Sequence, residues 1–466
     1  MILFRTFYDS YVKSVGFWIF IFFLIHLLGI WHPPLEAAHS WRQATGLMVA
    51  RNYFEGNTSF CFPMVDETNG GSGVIGMEFP ILYFIQGELA HFFGFHPWLG
   101  RFINVLLSTL GLTYFYALIV RFSGERIAFY ATLLLAVSCY FMYSRKVMPD
   151  TAALAVYIVG LFYFFEALRF GRWKDVVLCF GLLSLGLLLK ISVLPLSTTV
   201  VFAYLYFRDK PKKTWVLTLP LISVLPAFIW YFIWNPFLAK RYGNWYNLGG
   251  NFSDGVRLFF EQPFALLRHL IFHPFFSYLA FGLLLFALYR AYRKQPDLSV
   301  RVAAPFFFLL FTAYALKSGE IFLTHEYYIL PLVPVLAILG AYALTEFGKY
   351  AWILLSLIAL ESIANQSHDF RYNTKEAYKL QLEPIAQKHI PNNALVAING
   401  NSNPLELYFL GRKGWNLSSE AIGDVQFIHK LKTLGCRYLI LNRHAIPGEF
   451  EGLCIFQNQH YAIYKL

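Results

Sequence analysis

Residues 100–150 read GRFINVLLSTLGLTYFYALIVRFSGERIAFYATLLLAVSCYFMYSRKVMPD. This stretch holds two apolar runs, 102–120 and 127–144, with a short basic segment between them. Each run is long enough to cross about 30 Å of hydrocarbon as a helix. The stretch closes on charged residues and a proline, immediately before another apolar run. It therefore predicts a pair of membrane-spanning helices followed by a charged boundary.

The rest of the chain repeats this pattern. Hydrophobic residues make up 57% of the sequence and charged residues only 14%, whereas a soluble domain carries about 25% charged residues. We expect an α-helical polytopic membrane protein with about eleven spanning helices. The first run follows basic residues but has no small-residue cleavage site, so we interpret it as a retained helix and not a signal peptide. The expected spans are 15–31, 102–120, 127–144, 151–168, 175–189, 193–207, 214–234, 276–292, 302–316, 328–346 and 350–365.

Basic residues set the predicted orientation. The apolar run 79–95 is ambiguous because it contains Gln86, Glu88 and His91. If this run is interfacial or re-entrant, the basic clusters all become cytoplasmic, as the positive-inside rule favours. Those clusters are Arg5/Lys13, Arg121/Arg126, Arg169/Arg172/Lys174, residues 208–213, Arg290/Arg293/Lys294 and Lys349. The rule also accounts for the net charge of +11, and the chain has no basic stripe with interleaved aromatics that would indicate nucleic-acid binding.

The outer face then receives most of the polar sequence. Its segments are 32–100, the short loop around Asp150, 235–275 and 317–327. After residue 365 the chain becomes polar and alternating, with expected strands at 394–400, 437–442 and 460–466 and helices at 404–410 and 424–434. We expect a membrane domain over 1–365 and an outer α/β domain over 366–466. A disulfide between Cys436 and Cys454 is left open.

Charged residues near hydrocarbon occur where protein or a water-filled cavity accommodates them. Candidate site residues are therefore expected at the outer ends of the helices. The segment EAAHSWRQA (36–44) combines Glu36, His39, Arg42 and Gln43. Its arginine could bind a phosphate through two hydrogen bonds, and its imidazole or carboxylate could accept a proton. The alternative is an amphipathic interfacial helix.

Two more segments offer carboxylates. Glu78 lies in MEFP between apolar neighbours, where desolvation would suit it to acid–base chemistry, although it could equally face a helix N-terminus. Asp150 follows Arg145 and Lys146 in SRKVMPD. An Asp in the first turn of a helix is often a cap, but three charges at one membrane boundary favour a binding or catalytic role.

The last candidate segment, LTHEYYILPLVP (323–334), contributes His325, Glu326 and Tyr327, and Lys190 lies near another outer helix end. Tyrosine is expected at a membrane interface in any case. None of these segments is specific alone; their agreement on one face is what indicates a site. The chain contains no phosphate-binding loop, dinucleotide fingerprint, HExxH zinc motif or GxSxG motif.

These residues occur in an order that resembles a known family. HSWRQ, Gly100–Arg101, RKVMPD and HEYYILP resemble the GT-C superfamily of polytopic glycosyltransferases, typified by protein O-mannosyltransferases and the bacterial lipid A aminoarabinose transferase. The resemblance is good over roughly 15–210 and architectural beyond. It implies transfer of a sugar from a polyprenyl-phosphate carrier to an acceptor, on the outer face of the bacterial cytoplasmic membrane.

The resemblance also assigns roles. Asp150 fits the family's assisting aspartate, whereas Arg42–Gln43 stands where relatives have an acidic pair, which leaves His39, Glu36 or Glu78 as the base. Phe79 replaces a family lysine, so the donor phosphate needs another cation. The candidates for that cation are Arg42, Arg101, Lys146 and Lys190. Cofactor use stays open, with Glu78 and His273 as weak candidates for a divalent metal.

Two other classes of function compete with the transferase. A transporter or flippase of a lipid-linked or anionic substrate would use the same charges without breaking a bond. The clustering of polar residues on one face, with no visible inverted repeat, disfavours it. A non-catalytic membrane subunit that binds partners through its C-terminal domain is the third possibility.

Overall fold

The computed structural model describes residues 14–209, 212–243, 249–445 and 450–466. By internal contacts the chain forms two units. The first comprises residues up to 30, 101–233 and 247–370, and the second comprises 31–100, 234–246 and 371–466. The expected division at residue 365 stays a prediction. The basic residues Arg5, Lys13 and Lys210 lie outside the described residues.

Most of the longer helices follow the predicted apolar runs. The longer helices are α1 Val15–Leu27, α2 Ser40–Phe54, α3 Ile81–Phe93, α4 Pro97–Val137, α5 Asp150–Phe170, α6 Trp173–Leu189, α7 Ile191–Tyr206, α8 Thr214–Tyr242, α9 Phe252–Glu261, α10 Pro263–Phe272, α11 Tyr278–Lys294, α12 Leu298–Ser318, α13 Glu326–Glu346 and α14 Ala351–Gln366. Helices α2, α9 and α10 form within the segments 32–100 and 235–275 that were expected on the outer face. Non-helical backbone at Gly124 interrupts α4, between the predicted runs 102–120 and 127–144. In the described part of the chain, α4, α5, α8, α12 and α13 are long and apolar enough to cross a membrane. The helical membrane fold is confirmed, and the count of about eleven spans stays a prediction.

Helices α5 and α6 pack closely because glycines lie where they meet. A Cβ on Gly160 would lie 2.8 Å from the side chain of Leu183. A Cβ on Gly186 would lie 2.9 Å from Tyr157. Small residues at such contacts let the backbones of membrane helices approach, which increases dispersion contacts between them. The α5–α6 pair positions Asp150 at the start of one helix and Lys190 just after the end of the other.

We expect Gly186→Leu to lower the temperature at which the detergent-solubilised protein unfolds. The added side chain must displace Tyr157, and overpacking of this kind costs about 1–3 kcal/mol. The control is Gly181→Leu on the same helix, because no atom of the described residues lies within 4 Å of its Cβ position. Thermal unfolding followed by size-exclusion chromatography measures both variants. Equal midpoints would show that this contact contributes nothing to stability.

In the second unit, α3 packs against α2. A Cβ on Gly46 of α2 would overlap the ring of Tyr83 on α3, and a Cβ on Gly87 would lie 2.9 Å from the Ala50 carbonyl oxygen. The ring of Phe84 also meets that of Tyr53 edge to face, at 5.4 Å between centroids. The ambiguous run 79–95 therefore forms a helix that covers α2. Its interfacial placement stays a prediction.

The second unit also contains a five-stranded sheet. Its strands are β1 Leu395–Ile398, β2 Gly414–Asn416, β3 Cys436–Asn442, β4 Leu453–Gln457 and β5 Tyr461–Lys465. They lie in the order β2-β1-β3-β5-β4, with β2, β1 and β3 parallel and β5 antiparallel to both of its neighbours. Four helices complete the domain: α15 Leu382–His389, α16 Leu405–Leu410, α17 Ser419–Gly423 and α18 Val425–Thr433. The predicted α/β character is confirmed, whereas β2 and β4 were not predicted.

The edge of this sheet is joined to the first loop. Gly414 of β2 forms a parallel bridge with Glu67, and its backbone nitrogen donates to the Asp66 carbonyl at 2.9 Å. The first loop and the C-terminal residues therefore share backbone hydrogen bonds. Cys436 and Cys454 are both free thiols. Strand β5 lies between their strands, which are therefore about 10 Å apart, too far for a disulfide.

Candidate active site

The predicted site residues divide between the two units. The first unit holds Arg101, Arg145, Lys146, Asp150, Lys190, His273, His325, Glu326 and Tyr327, and the second holds Glu36, His39, Arg42, Gln43 and Glu78. Each group forms contacts of its own.

Asp150 lies beside Lys190 in the first unit. Pro149 occupies the N-cap position of α5, so Asp150 is the first helical residue and not the cap. Its carboxylate is buried, with Oδ1 3.5 Å from Nζ of Lys190. That separation exceeds the ~2.7–2.9 Å of a charge-assisted hydrogen bond. The two groups therefore form an ion pair without a short hydrogen bond.

Lys190 also connects Asp150 with the HEYY segment. Its ammonium lies over the ring of Tyr327, at 5.4 Å from the centroid, and over that of Tyr328, at 5.8 Å. An aromatic face stabilises a cation at this distance, more so where water is excluded. The structure thus brings together three predicted candidates from separate segments: Asp150, Lys190 and Tyr327.

Glu326 and His325 flank this cluster. A carboxylate oxygen of Glu326 accepts a hydrogen bond from the Tyr143 hydroxyl at 3.3 Å. The ring of Tyr143 also meets that of Tyr327 edge to face, at 5.6 Å between centroids. The Nδ1 atom of His325 lies 2.7 Å from the Thr324 hydroxyl oxygen. Glu326 is therefore linked to the turn that precedes Asp150, whereas His325 is held by its own segment.

That turn is fixed by Asn104, which the sequence did not single out. Its amide nitrogen donates to the carbonyl oxygens of Tyr143 at 3.1 Å, Lys146 at 2.9 Å and Met148 at 3.2 Å. Its side-chain oxygen accepts from the Thr151 hydroxyl at 3.2 Å. Asn104 therefore positions the whole segment that carries Lys146 and leads into Asp150. The only sequence signal was an amide inside an apolar run, three residues after Arg101.

Lys146 forms a buried ion pair with Asp369. The two groups are 2.5 Å apart, and their side chains are 1% and 2% exposed. Asp369 lies just after α14, in the polar stretch that follows the last apolar run, and was also missed by the sequence reasoning. Removing either partner of a buried pair leaves an uncompensated charge. This contact gives Lys146 a structural partner, and a role on the donor phosphate stays a prediction.

Arg101 and Arg145 bind the chain that follows α1. Arg145 donates to the carbonyl oxygens of Leu28 at 3.0 Å and Gly29 at 2.9 Å. Arg101 donates to the carbonyl oxygen of Ile30 at 3.0 Å. Both guanidinium groups are buried, and they satisfy backbone carbonyls of the segment that follows α1. These contacts position residues 28–30, and direct binding of a donor phosphate by either arginine stays a prediction.

In the second unit, Glu78 is paired with Arg42. Both side chains are buried, and Oε1 of Glu78 accepts hydrogen bonds from the Arg42 guanidinium and, at 2.8 Å, from the Tyr83 hydroxyl. Arginine and a hydroxyl together stabilise the negative charge of a carboxylate. Arg42 comes from α2 and Tyr83 from α3, so the packing of these helices positions Glu78.

Glu36 and His39 lie just before α2. A carboxylate oxygen of Glu36 accepts from the Gln43 side-chain nitrogen at 2.8 Å, and both residues are buried. His39 has a left-handed backbone with φ 58°, and its carbonyl accepts from the backbone nitrogens of Arg42 and Gln43. Histidine is among the residues that tolerate this conformation. The HSWRQ motif thus starts α2 and directs Arg42 and Gln43 to two different carboxylates.

The described residues do not fit a resident metal ion. Among them, no group of three or more His, Cys, Asp or Glu side chains is placed to share a cation. His273 has its Nδ1 atom 2.8 Å from Nδ1 of His269, and Glu78 is engaged by Arg42. These contacts assign neither weak candidate to a metal ion, and metal use stays open.

Comparison with known proteins identifies the fold of the chain. Residues 78–234, about a third of the chain, match the family described as dolichyl-phosphate-mannose-protein mannosyltransferase. The crystal structure of ArnT from Cupriavidus metallidurans bound to undecaprenyl phosphate superposes with TM-score 0.65 and 15% identity, covering 96% of this chain and 98% of ArnT. This chain has the GT-C glycosyltransferase fold. The resemblance inferred from the sequence is therefore confirmed.

Other solved structures share the GT-C fold. Apo ArnT from the same organism superposes with TM-score 0.64 and 14% identity, covering 96% of this chain and 97% of ArnT. The Archaeoglobus fulgidus oligosaccharyltransferase, crystallised with Zn and sulfate, gives TM-score 0.56 and 15% identity over 92% of this chain and 68% of that protein. No curated protein matches the sequence. The family matched and these structural neighbours are all glycosyltransferases.

Proposed function

We propose that this protein is a membrane glycosyltransferase that moves a sugar from a polyprenyl-phosphate carrier to an acceptor. The observation that carries the proposal is the GT-C fold over 96% of the chain, shared with a structure that binds undecaprenyl phosphate. Within that fold the chain supplies buried carboxylates beside cations, at Asp150 and at Glu78. These are the groups that sugar transfer from a phosphate leaving group requires.

The proposed reaction is a single displacement with inversion. An oxygen or nitrogen of the acceptor bonds to the anomeric carbon, while the bond from that carbon to the phosphate oxygen breaks. The electron pair leaves with the phosphate, and the acceptor proton passes to a carboxylate. Positioning and electrostatic stabilisation supply most of the acceleration in such a step.

Roles follow from the contacts of each residue. Glu78 is the proposed proton acceptor, because Arg42 and Tyr83 hold its carboxylate in one position. Lys190 is the proposed cation for the departing phosphate, since its ammonium lies between the Asp150 carboxylate and the rings of Tyr327 and Tyr328. Asp150 orients Lys190. Glu36 and His39 remain alternative proton acceptors.

The proposed location is the bacterial cytoplasmic membrane, with the site and the C-terminal domain on the outer face. The distribution of basic residues supports this orientation, since Arg121, Arg126, Arg169 and Arg172 all fall in segments assigned to the cytoplasm. Carrier lipid reaches such a site from within the bilayer, and the acceptor reaches it from outside.

A transfer assay with the purified full-length protein tests the proposal. The substrates are polyprenyl phosphates that carry a labelled sugar, presented in detergent with extracted envelope acceptors. We expect the label to leave the organic-soluble carrier and appear on an acceptor, with one polyprenyl phosphate released for each sugar transferred. Protein reconstituted in vesicles provides the contrasting measurement. Movement of intact carrier across the bilayer, with no sugar released, would contradict the transferase and support the transporter alternative.

A further inference from the structure

The second unit contains a polar cavity to which the roles proposed above assign no ligand. Its volume is about 230 Å³. Its walls come from the first loop, through Glu36, Ala37 and Ser40, and from the segment after α14, through Asn373, Glu376 and Lys379. At the ~30 Å³ that a water molecule occupies in the liquid, it has room for about eight waters. The cavity is therefore the size of a single sugar ring or a small headgroup, not of an extended glycan.

The wall of the cavity carries more negative than positive charge. Glu36 and Glu376 contribute carboxylates, and Lys379 contributes an ammonium that bonds to Glu376 and lies 3.1 Å from Glu406. Burial lowers the pKa of Lys379, but the carboxylates of Glu406 and Glu376 more than offset this effect and raise it overall. Lys379 is therefore charged and already paired with acids. An anionic ligand would meet net repulsion here.

The remaining lining groups suit hydroxyls. Ser40 can donate and accept, and the amides of Asn373 and Asn403 offer both functions as well. Sugar hydroxyls each donate one hydrogen bond and accept others. The carboxylates of this lining can accept such bonds, and its amides can both donate and accept them. The few apolar residues in the lining, Leu35, Ala37 and Leu405, give no surface long enough for a polyprenyl tail.

The cavity is linked through α2 to Glu78, the proposed proton acceptor in the same unit. Glu36 lines the cavity, is 4% exposed, and accepts a hydrogen bond from Gln43 on α2. The neighbouring residue on that helix, Arg42, pairs with Glu78. Ser40, another lining residue, is the first residue of the same helix. A ligand in the cavity would thus contact the segment that positions the catalytic candidates.

We propose that this cavity binds a hydroxyl-rich sugar group of the acceptor, either uncharged or bearing an amine. The proposal rests on the proposed glycosyltransferase function, which it deepens by naming the acceptor class. The donor fits less well, because its lipid tail finds no apolar surface in the cavity and the phosphate beside its sugar would meet the carboxylates of Glu36 and Glu376.

Binding is measured first, with the full-length protein in nanodiscs and no donor present. The probes are glucosamine, glucose and glucuronate, observed by saturation-transfer NMR. We expect glucosamine and glucose to bind and glucuronate to bind at least about tenfold more weakly, the size of effect that one unfavourable charge contact produces. Preferential binding of glucuronate would overturn the proposal.

Two variants localise the binding. Ala37→Trp fills the cavity from an exposed position and should abolish binding of both sugars. Its control is Asn392→Trp, in the exposed turn before β1 and away from the lining, which should bind normally. Glu376→Gln should narrow the difference of about tenfold between glucose and glucuronate, whereas Glu383→Gln, exposed on α15, should not. Unchanged binding by Ala37→Trp would overturn the assignment of the site.

The transfer assay separates this inference from the proposed function. If wild-type protein transfers sugar and Ala37→Trp does not, while donor binding is unchanged, the acceptor assignment stands. If Ala37→Trp transfers normally, the cavity is not the acceptor site although the enzyme assignment survives. If wild-type protein transfers nothing, the proposed function and the acceptor role fail together, and sugar binding by the cavity is decided by the NMR result alone.

Discussion

The substitution Asp150→Asn is expected to abolish sugar transfer while leaving the first unit folded. The amide keeps the size of the side chain and its position at the start of α5, but it can no longer form an ion pair with Lys190. An ammonium that has lost its orienting carboxylate stabilises a departing phosphate less well. Loss of a group of this kind typically lowers the rate by about 10²–10⁴-fold. The measurement is turnover in the transfer assay, with carrier binding followed separately.

Asp175→Asn is the matched control for Asp150→Asn. Asp175 is equally buried, at 3% exposure, and also lies in the first turn of a helix, where it accepts from Arg172 at 2.7 Å. We expect normal turnover from this variant. If Asp150→Asn is poorly folded, the double variant Asp150→Asn/Lys190→Gln removes both charges and should restore folding without restoring turnover. Near-normal turnover by Asp150→Asn would show that this carboxylate only supports the helix.

Glu78→Gln is expected to lower transfer by a similar factor, about 10²–10⁴-fold, because the amide cannot accept a proton. It also leaves the buried Arg42 without its carboxylate partner. Removing one partner of a buried ion pair lowers the free energy of unfolding by about 3–5 kcal/mol. The double variant Glu78→Gln/Arg42→Gln separates these effects. It should recover much of the thermal stability but none of the turnover.

A second ion pair on α2 provides the control for Glu78. Arg51 pairs with Asp66 in the same unit, and its guanidinium also donates to the Tyr408 carbonyl at 3.1 Å. Asp66→Asn should lower stability and leave turnover per folded molecule unchanged. Recovery of turnover by the Glu78→Gln/Arg42→Gln variant would make that pair structural, and the role of proton acceptor would then pass to Glu36 or His39.

Several parts of the site could be predicted from the sequence, and others could not. Asp150, Lys190 and Tyr327 were recognisable because each is a polar or aromatic residue close to an end of an apolar run. Asn104 and Asp369 gave weaker signals, a single amide within an apolar run and one acid in a polar stretch. Asn104 matters because it binds backbone carbonyls within residues 143–148, and Asp369 matters because it pairs with Lys146. Only the packed structure brings these groups together.

Local patterns in the sequence were enough to predict most helices of the first unit and the strands β1, β3 and β5 of the C-terminal sheet. These elements are set by local patterns: the thickness of hydrocarbon fixes the length of an apolar helix, and alternation along the chain indicates a strand. The tertiary structure alone decided which charges pair. Lys146 meets Asp369 and Arg42 meets Glu78 because helix packing brings distant segments together. A buried charge takes its partner from three-dimensional proximity, which no local pattern along the chain records.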